Sequence, residues 1–192
     1  MKRCIFVLVA VPWLLAARPA PVVDLHRVLQ GAYAQVGVTL GYDSAYSRIA
    51  YPGGDVPVDR GVCTDVIVRA YRHAGVDLQV LVHEDMVRAF SAYPHLWGLS
   101  KPDSNIDHRR VPNLAAFLRR HGTTLSPSSR SADYAPGDVV TWRLSSGVPH
   151  IGLVSDRKAG ERYLMVHNIG SGARVEDVLF AYQVTGHYRY GL

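Results

Sequence analysis

The sequence predicts an α+β fold in which N-terminal helices pack on a mostly antiparallel β-sheet. Segments with apolar residues at helical spacing occupy the chain up to Gly122. From Tyr134 onward the pattern changes to short β-rich segments separated by turn residues. Helices first and strands later are typical of α+β domains, because regular alternation of the two would instead indicate a parallel sheet.

The first 20 residues have the features of a secretory signal peptide. Met1-Lys2-Arg3 is a short basic start, residues 4–15 are almost entirely apolar, and small residues follow at 16–17. This apolar run is short for a membrane span. We therefore expect a signal peptide over residues 1–20 and one exported domain over residues 21–192, located in the periplasm or outside the cell. The alternative is an uncleaved N-terminal anchor.

Charge and cysteine content narrow the classes of partner. The formal net charge is +5, and it is +3 once Lys2 and Arg3 are removed. This mildly basic balance is compatible with an anionic envelope polymer and does not indicate a nucleic-acid-binding protein. Of the two cysteines, Cys4 lies in the signal segment, so the mature chain keeps Cys63 and forms no intramolecular disulfide. A lone thiol in an exported chain is a candidate reactive group.

Four segments have the apolar spacing of amphipathic helices. Asp24 is a suitable N-cap for the first, Gly75 ends the second, and Pro94 follows the third. Pro112 and Gly122 mark the start and the end of the fourth. The expected helices are residues 24–35, 63–74, 82–93 and 112–121.

Turn-rich stretches separate these helices from one another and from the strands. Residues 37–54 are rich in Gly, Tyr and Ser and predict extended chain and turns. Residues 126–132 predict a Ser-rich linker. Asp138, after Pro136-Gly137, is expected to be a turn or strand-start residue, and His187 is expected to pack within the last strand. The expected strands are residues 138–144, 150–156, 163–167 and 186–190.

Cys63 is predicted to lie in the first turn of the second helix. Unpaired N–H groups and the helix dipole favour negative charge there, which lowers the pKa of a thiol and raises its thiolate fraction. The alternative is that Cys63 is a small buried core residue.

Two histidines in the strand region are the candidate partners of this thiol. His150 opens an apolar strand, and His167 ends the next one with Asn168 beside it. Adjacent antiparallel strands place such residues side by side, within reach of a helix packed on the sheet. A thiol nucleophile needs a base, and that base needs a third polar group to fix its tautomer. We expect His150 to be the base, with either His167 or Asn168 as the third residue.

These residues stand in a series of motifs that resembles a known family. Tyr51-Pro52-Gly53-Gly54 precedes Cys63, and Pro136-Gly137-Asp138, His150-Ile151-Gly152 and Val166-His167 follow it in order. The series is similar to that of the NlpC-type papain-like cysteine peptidases. The longer strings around it also resemble an uncharacterised family of exported bacterial proteins in that superfamily. The resemblance covers residues 42–190.

The resemblance implies a papain-like fold and a cysteine hydrolase. It implies that Cys63 is the nucleophile, that His150 is the base, and that His167 is the orienting residue. It also matches Tyr51 to a tyrosine whose hydroxyl helps the Cys63 N–H stabilise an oxyanion. Family members typically cleave amide bonds in peptidoglycan peptides, and some relatives act on lipid acyl groups.

Further polar residues are candidates for substrate binding. Asp65, two residues after the nucleophile, favours its helix, although its charge opposes ionisation of the thiol. Asp107, His108 and Arg109 belong to the polar segment 101–110. This segment is expected to be either a basic clamp for a substrate carboxylate or a solvated surface loop held by local salt bridges.

No metal or cofactor is expected. The nine histidines lack the i, i+4 pair of a zinc helix, and the sequence has neither a Gly-x-Ser-x-Gly elbow nor a Gly-rich phosphate loop. The expected protein is a monomer with no membrane insertion after cleavage, and its substrate is a peptidoglycan peptide or another envelope amide. Two alternatives stay open: a thiol acyl hydrolase or acyltransferase acting on lipid or protein, and a non-enzymatic envelope binding module on the same fold.

Overall fold

The computed structural model describes residues 22–192. The predicted signal peptide lies outside these described residues. Among residues 22–192, no helix is long and apolar enough to cross a membrane.

The helices form in the order that the sequence predicts. They are α1 (Leu25–Tyr33), α2 (Cys63–His73), α3 (Leu78–Arg88) and α4 (Val111–His121). The Asp24 side chain accepts a hydrogen bond from the His26 N–H at 2.9 Å and so caps α1 as expected. The third helix differs from the prediction, because α3 begins earlier and ends at Arg88, and a separate 3₁₀ turn covers Phe90–Ala92. Asp77 caps its earlier start by accepting a hydrogen bond from the Gln79 N–H.

The sheet has six strands and is antiparallel throughout. Two short strands, β1 (Gly41–Tyr42) and β2 (Arg60–Gly61), form a separate parallel pair. The main sheet has the order β3-β8-β4-β5-β6-β7. Its strands are β3 (Thr123–Leu125), β4 (Val139–Arg143), β5 (Pro149–Ala159), β6 (Arg162–Asn168), β7 (Ala173–Glu176) and β8 (Gln183–Arg189). The predicted α+β class and mostly antiparallel sheet are confirmed, while β3 and β7 were not predicted.

The two faces of the sheet carry different cores. Helices α1, α2 and α4 bury their apolar sides on one face, where Ile67 and Leu114 meet Ile151 and Leu153 of β5. Loop residues cover the opposite face around Trp142. Helix α2 lies across the sheet with its N-terminus beside β5. This arrangement brings Cys63, at the start of a helix, close to the start of a histidine-bearing strand.

Two subsidiary predictions are also confirmed. The Asp138 side chain accepts a hydrogen bond from the Ala135 N–H at 2.9 Å, as a turn residue before a strand does. It also pairs with His187 Nε2 at 2.7 Å and with Arg189 Nε at 2.7 Å. His187 lies in β8 and packs against the Tyr134 ring. This buried network holds the sheet at a place remote from Cys63.

Candidate active site

Cys63 is the first residue of α2, and it is 3% exposed. Val62 precedes it in an extended conformation, and the Val62 N–H donates a hydrogen bond to Asp65 Oδ2 at 2.7 Å. Asp65 thus caps the helix from its own first turn, where a carboxylate interacts favourably with the helix dipole. The N-terminus of α2, and with it the thiol, is thereby fixed.

The resting thiol is protonated. Burial raises the pKa of Cys63 to about 11, and the charge of Asp65 adds to this. The nearby Ile151 N–H, Tyr42 hydroxyl and Thr64 N–H oppose this rise in the pKa without cancelling it. The sequence-based expectation of a lowered pKa is wrong for the free protein, because that expectation took account of the helix dipole and not of desolvation.

His150 and His167 form the hydrogen-bonded pair that the strand arrangement predicts. His150 Nε2 lies 3.0 Å from His167 Nδ1. Both rings are buried. Burial lowers the pKa of His150 to about 3, and it also lowers the pKa of His167. Both imidazoles are therefore neutral at neutral pH, and one ring must donate to the other.

A carboxylate on the neighbouring strand decides which ring donates. His167 Nε2 lies 2.9 Å from Glu176 Oε2, in a bent approach rather than a linear hydrogen bond. A carboxylate only accepts, so the neutral His167 ring carries its proton on Nε2 and accepts at Nδ1. His150 then donates from Nε2, which leaves the lone pair of His150 Nδ1 free to accept a proton. This is the tautomer that a general base for Cys63 requires.

A tryptophan and a glycine fix the orientation of the histidine pair. The Trp142 ring stacks on His150 with ring centroids 5.7 Å apart, and its Nε1–H is bonded to the Leu179 carbonyl. Gly152 lies between these groups, and a Cβ added there would approach Trp142 to 3.0 Å and the His167 Cβ to 3.2 Å. Any larger residue in place of Gly152 would displace the Trp142 or the His167 side chain.

The structure separates the two candidates for the third residue. Asn168 does not contact His150: its amide group donates to the carbonyls of Gly41 and Gly61, each at 3.1 Å. Gly41 lies in β1 directly before Tyr42, and Gly61 lies in β2 directly before Val62 and Cys63. Asn168 therefore positions these strands, and His167 is the residue bonded to His150.

The tyrosine beside the thiol is Tyr42 rather than Tyr51. The Tyr42 hydroxyl is within hydrogen-bonding reach of the Cys63 sulfur, and burial together with the nearby thiol raises its pKa. Tyr51 instead packs its ring edge against His83, with centroids 5.3 Å apart, and its neighbouring charges are Glu84 and Asp77. The expected position of Tyr51 at the oxyanion is thus corrected, because pairing of β1 with β2 brings the earlier tyrosine to Cys63.

Asp65 and Arg109 form a buried ion pair. Arg109 Nε lies 3.0 Å from Asp65 Oδ1, and its Nη2 lies 3.0 Å from Asp65 Oδ2. The same guanidinium donates to the carbonyls of Asp43 and Ala45 at 3.1 and 3.2 Å. Since these partners already occupy the Asp65 and Arg109 side chains, the pair fixes the chain after Tyr42 instead of serving as a substrate clamp.

Asp107 and His108 are also interior residues. The 3₁₀ turn Asp107–Arg109 is buried, so the expectation of a solvated loop over residues 101–110 is wrong for these three residues. Asp107 Oδ2 accepts hydrogen bonds from His83 Nδ1 and the Asp103 N–H, each at 2.8 Å, and burial raises the Asp107 pKa. Burial lowers the pKa of His108 to about 4. Neither residue lines the cleft beside Cys63.

A cleft of about 490 Å³ opens beside the thiol. It is here called the Cys63 cleft, and its wall includes Tyr42, Val62, Cys63, Trp97, Arg110 and Val148. Most of its lining side chains are apolar, and its charged groups among the described residues are arginines. The cleft therefore gives a bulky ligand access to Cys63 along a wall that is mostly apolar and also carries arginines.

Comparison with known proteins places the sequence in a family. Residues 29–190 match a family described as a domain of unknown function, DUF1287. The chain belongs to this family. The Escherichia coli K12 protein named uncharacterized protein YijF is 56% identical over 164 residues, which cover 85% of this chain and 80% of that protein.

One solved structure resembles this DUF1287 chain distantly. It is a Staphylococcus aureus protein described as similar to lipoprotein, NLP/P60 family, with a TM-score of 0.42 and 14% sequence identity. The match covers 93% of this chain and 45% of that one. Family membership therefore rests on the sequence match, and the NlpC-type resemblance stays a distant one.

The sequence does not identify two residues of this DUF1287 site, Tyr42 and Glu176. The sequence points to Tyr51 instead of Tyr42, because Tyr51 belongs to the motif Tyr51-Pro52-Gly53-Gly54 and Tyr42 belongs to no motif. Glu176 meets His167 only through the register of β6 and β7, in which His167 pairs with Arg174. Arg110 belongs to the segment for which the sequence predicts a basic clamp or a surface loop, and it lines the Cys63 cleft. Among residues 22–192, no cluster of three or more potential metal ligands occurs.

Proposed function

We propose that this DUF1287 protein is an exported cysteine hydrolase that cleaves amide bonds, with peptidoglycan stem peptides as its substrate class. The observation that carries the proposal is Cys63 in the wall of an open cleft, with its thiol close to the backbone N–H of Ile151. The residue before Ile151 is His150, which begins the linked series His150, His167 and Glu176. A nucleophile, a base of suitable tautomer and an orienting group are the parts that covalent acyl transfer needs.

The mechanism begins from a neutral pair because the thiol and the imidazole are both uncharged at rest. The Cys63 proton moves to His150 Nδ1 as the sulfur attacks the amide carbonyl. The tetrahedral intermediate collapses when its C–N bond breaks, and His150 returns the proton to the departing amine. Water then attacks the thioester, His150 takes a proton from that water, and the C–S bond breaks to restore the thiol.

The negative charge that develops on the substrate carbonyl oxygen needs hydrogen-bond donors close to Cys63. The Cys63 N–H is at the first position of α2, where an α-helix leaves its N–H groups without an intrahelical acceptor, and the Tyr42 hydroxyl is adjacent to the sulfur. Donors held in place before the reaction stabilise an oxyanion without reorganisation. We therefore assign to Tyr42 the oxyanion role that the sequence comparison suggested for Tyr51.

The assignment of the substrate class rests on location and charge. A signal peptide over residues 1–20 would deliver the protein to the compartment that holds the cell wall. Arg110, the arginine of the Cys63 cleft that is not paired with Asp65, suits a peptide that carries carboxylates. Stem peptides of peptidoglycan are peptides of this kind.

An apolar cleft also favours a second candidate function. Trp97, Ile106, Val111 and Val148 give the Cys63 cleft walls that suit an acyl chain. A thiol acyl hydrolase or acyltransferase would use the same nucleophile and base. Arg110 in the same cleft favours the peptide substrate over an uncharged acyl chain.

The test is digestion of purified peptidoglycan by the mature protein, followed by mass spectrometry of the released fragments. We expect new peptide ends with the wild-type protein and none with Cys63→Ala, while the exposed-surface variant Arg119→Gln remains active. Identical fragments from Cys63→Ala would exclude the proposed nucleophile. Release of acyl chains from lipid, with no peptide cleavage, would support the second candidate.

A further inference from the structure

Arg110 is the cation of the Cys63 cleft that no acidic side chain among residues 22–192 neutralises. It forms no salt bridge with a described carboxylate, and its Nη1 is buried without a hydrogen-bond partner in that part of the chain. Arg109, the other arginine of the cleft, is already paired with Asp65. The two neighbours in sequence therefore differ in whether their charge is satisfied.

The position of the Arg110 side chain is fixed by its surroundings. Its guanidinium carbon lies 5.2 Å from the centroid of the Trp97 ring, in a cation–π contact. Arg110 is also the N-cap residue directly before α4. Arg110 is partly buried, and its buried Nη1 lacks a hydrogen-bond partner among residues 22–192. An unsatisfied buried donor costs free energy, and a ligand carboxylate that accepts from the guanidinium removes this cost.

We infer that Arg110 is a specificity-determining residue that binds a carboxylate of the substrate in the Cys63 cleft. The geometry that supports this is one cleft holding the thiol, the Trp97 ring and a guanidinium without a protein counter-ion. The substrate class is then a peptide with a free carboxylate close to the scissile amide. This inference refines the proposed function and takes its reacting thiol from it, but its test does not need turnover.

The test compares paired thiol reagents that differ only in charge. Iodoacetate and iodoacetamide react with the same thiol, and so do bromoacetyl-glycine and bromoacetyl-glycinamide, which carry the carboxylate or amide farther from the reacting carbon. The measured quantity is the rate of Cys63 alkylation by the acid divided by the rate with the amide. This ratio cancels changes in the reactivity of the thiol itself.

For at least one pair, we expect the wild-type ratio to exceed that of a free thiol such as N-acetylcysteine by about tenfold. This corresponds to the tenfold change in rate that one charge-assisted contact typically supplies. Arg110→Gln should return the ratio to the free-thiol value. Arg119→Gln is the matched control, because Arg119 lies on the same helix, is exposed, and loses the same charge. Its ratio should equal that of the wild type.

Three outcomes would overturn the inference. They are a wild-type ratio no higher than that of the free thiol for both pairs, a ratio unchanged in Arg110→Gln, and an equal fall in Arg119→Gln. The first needs no variant, so the inference stays testable if Arg110→Gln does not fold. If the charge preference depends on Arg110 but the protein cleaves no peptidoglycan, the carboxylate-binding role of Arg110 is supported and the proposed substrate is refuted. Cleavage without that preference would do the reverse.

Discussion

At the residue scale, the site is organised by which groups are neutral at rest. The buried thiol of Cys63 and the buried imidazole of His150 both favour their uncharged forms, so the proton leaves the sulfur only as bonds to substrate form. A preformed thiolate–imidazolium pair would need the opposite shifts. Whether the resting pair is neutral or charged determines how fast Cys63 reacts with alkylating reagents.

Alkylation of Cys63 in the free protein should therefore be slow at neutral pH. With a pKa of about 11, the thiolate fraction at pH 7 is on the order of one in ten thousand. We expect the iodoacetamide rate to rise with pH up to at least pH 9 without a plateau, as measured by intact mass. N-acetylcysteine under the same conditions gives the reference curve, and a plateau below pH 7 would show that the thiol is ionised at rest.

Tyr42 and Tyr51 offer a matched pair of substitutions. Tyr42→Phe removes a hydroxyl beside the sulfur and should lower kcat by about 10²- to 10³-fold, as loss of one oxyanion donor does. Tyr51→Phe removes a hydroxyl near His83 and should leave kcat unchanged. Steady-state kinetics on a released peptide would check both, and a larger loss in Tyr51→Phe would reverse the assignment.

Glu176 is predicted to act through His167. Glu176→Gln keeps the shape but removes the charge that fixes the His167 tautomer, and we expect kcat to fall by about 10- to 100-fold with little change in KM. The Glu176 charge opposes the fall in the His167 pKa, so its removal should move the acid limb of the pH–rate profile to lower pH. Glu161→Gln, on an exposed residue, is the control. An unmoved acid limb would mean that Glu176 has only a structural role.

At the element scale, the N-terminus of α2 is held by a buried ion pair that crosses from the helix to the turn before α4. Asp65 caps α2 and also receives Arg109, which reaches the chain that follows β1. The pair thus connects the segments that carry Tyr42, Cys63 and Arg110. Breaking it should disturb stability and the site together.

Asp65→Asn should lower the free energy of unfolding by about 3–5 kcal/mol, because it leaves the Arg109 charge buried without a counter-ion. Asp59→Asn removes a carboxylate from an exposed pair with Arg60 and should cost at most about 1 kcal/mol. Urea unfolding monitored by circular dichroism measures both. A cost for Asp65→Asn as small as that for Asp59→Asn would contradict the structural role of the pair.

How far the sequence predicts these elements depends on whether a feature is local. The helix starting at Cys63 and the strands holding His150 and His167 follow from apolar spacing and turn residues, which neighbouring positions determine. The choice of Tyr42 over Tyr51 depends on pairing of β1 with β2, two-residue strands with no periodic signal. The interior position of Asp107, His108 and Arg109 likewise depends on distant partners, since their polar sequence is typical of a surface loop.

On the scale of the whole molecule, the fold keeps several histidines neutral inside it. Burial lowers the pKa of His108 to about 4 and of His150 to about 3, and it lowers that of His167 as well. An unfolded chain protonates these residues near pH 6.5, so it binds more protons than the folded chain between that value and about pH 3–4. The stability they contribute is present above pH 6.5 and is lost as the pH falls through this window.

Unfolding in urea should therefore require less denaturant at pH 5 than at pH 7.5. His108→Gln should reduce this pH dependence, because the folded-state shift of His108 alone corresponds to on the order of 3 kcal/mol once the pH is well below 4. His26→Gln, at an exposed position, should leave the pH dependence as it is in the wild type. Equal pH dependence in His108→Gln and wild type would refute the assignment to His108.

The central claim is that Cys63 becomes acylated during turnover. The most direct measurement is the intact mass of the protein after rapid acid quenching during peptidoglycan digestion. We predict a mass increase equal to one released acyl fragment, located on the peptide that contains Cys63, removed by hydroxylamine and missing from Cys63→Ala. Continued release of fragments from peptidoglycan with no adduct in the wild type and undiminished release by Cys63→Ala would contradict the account.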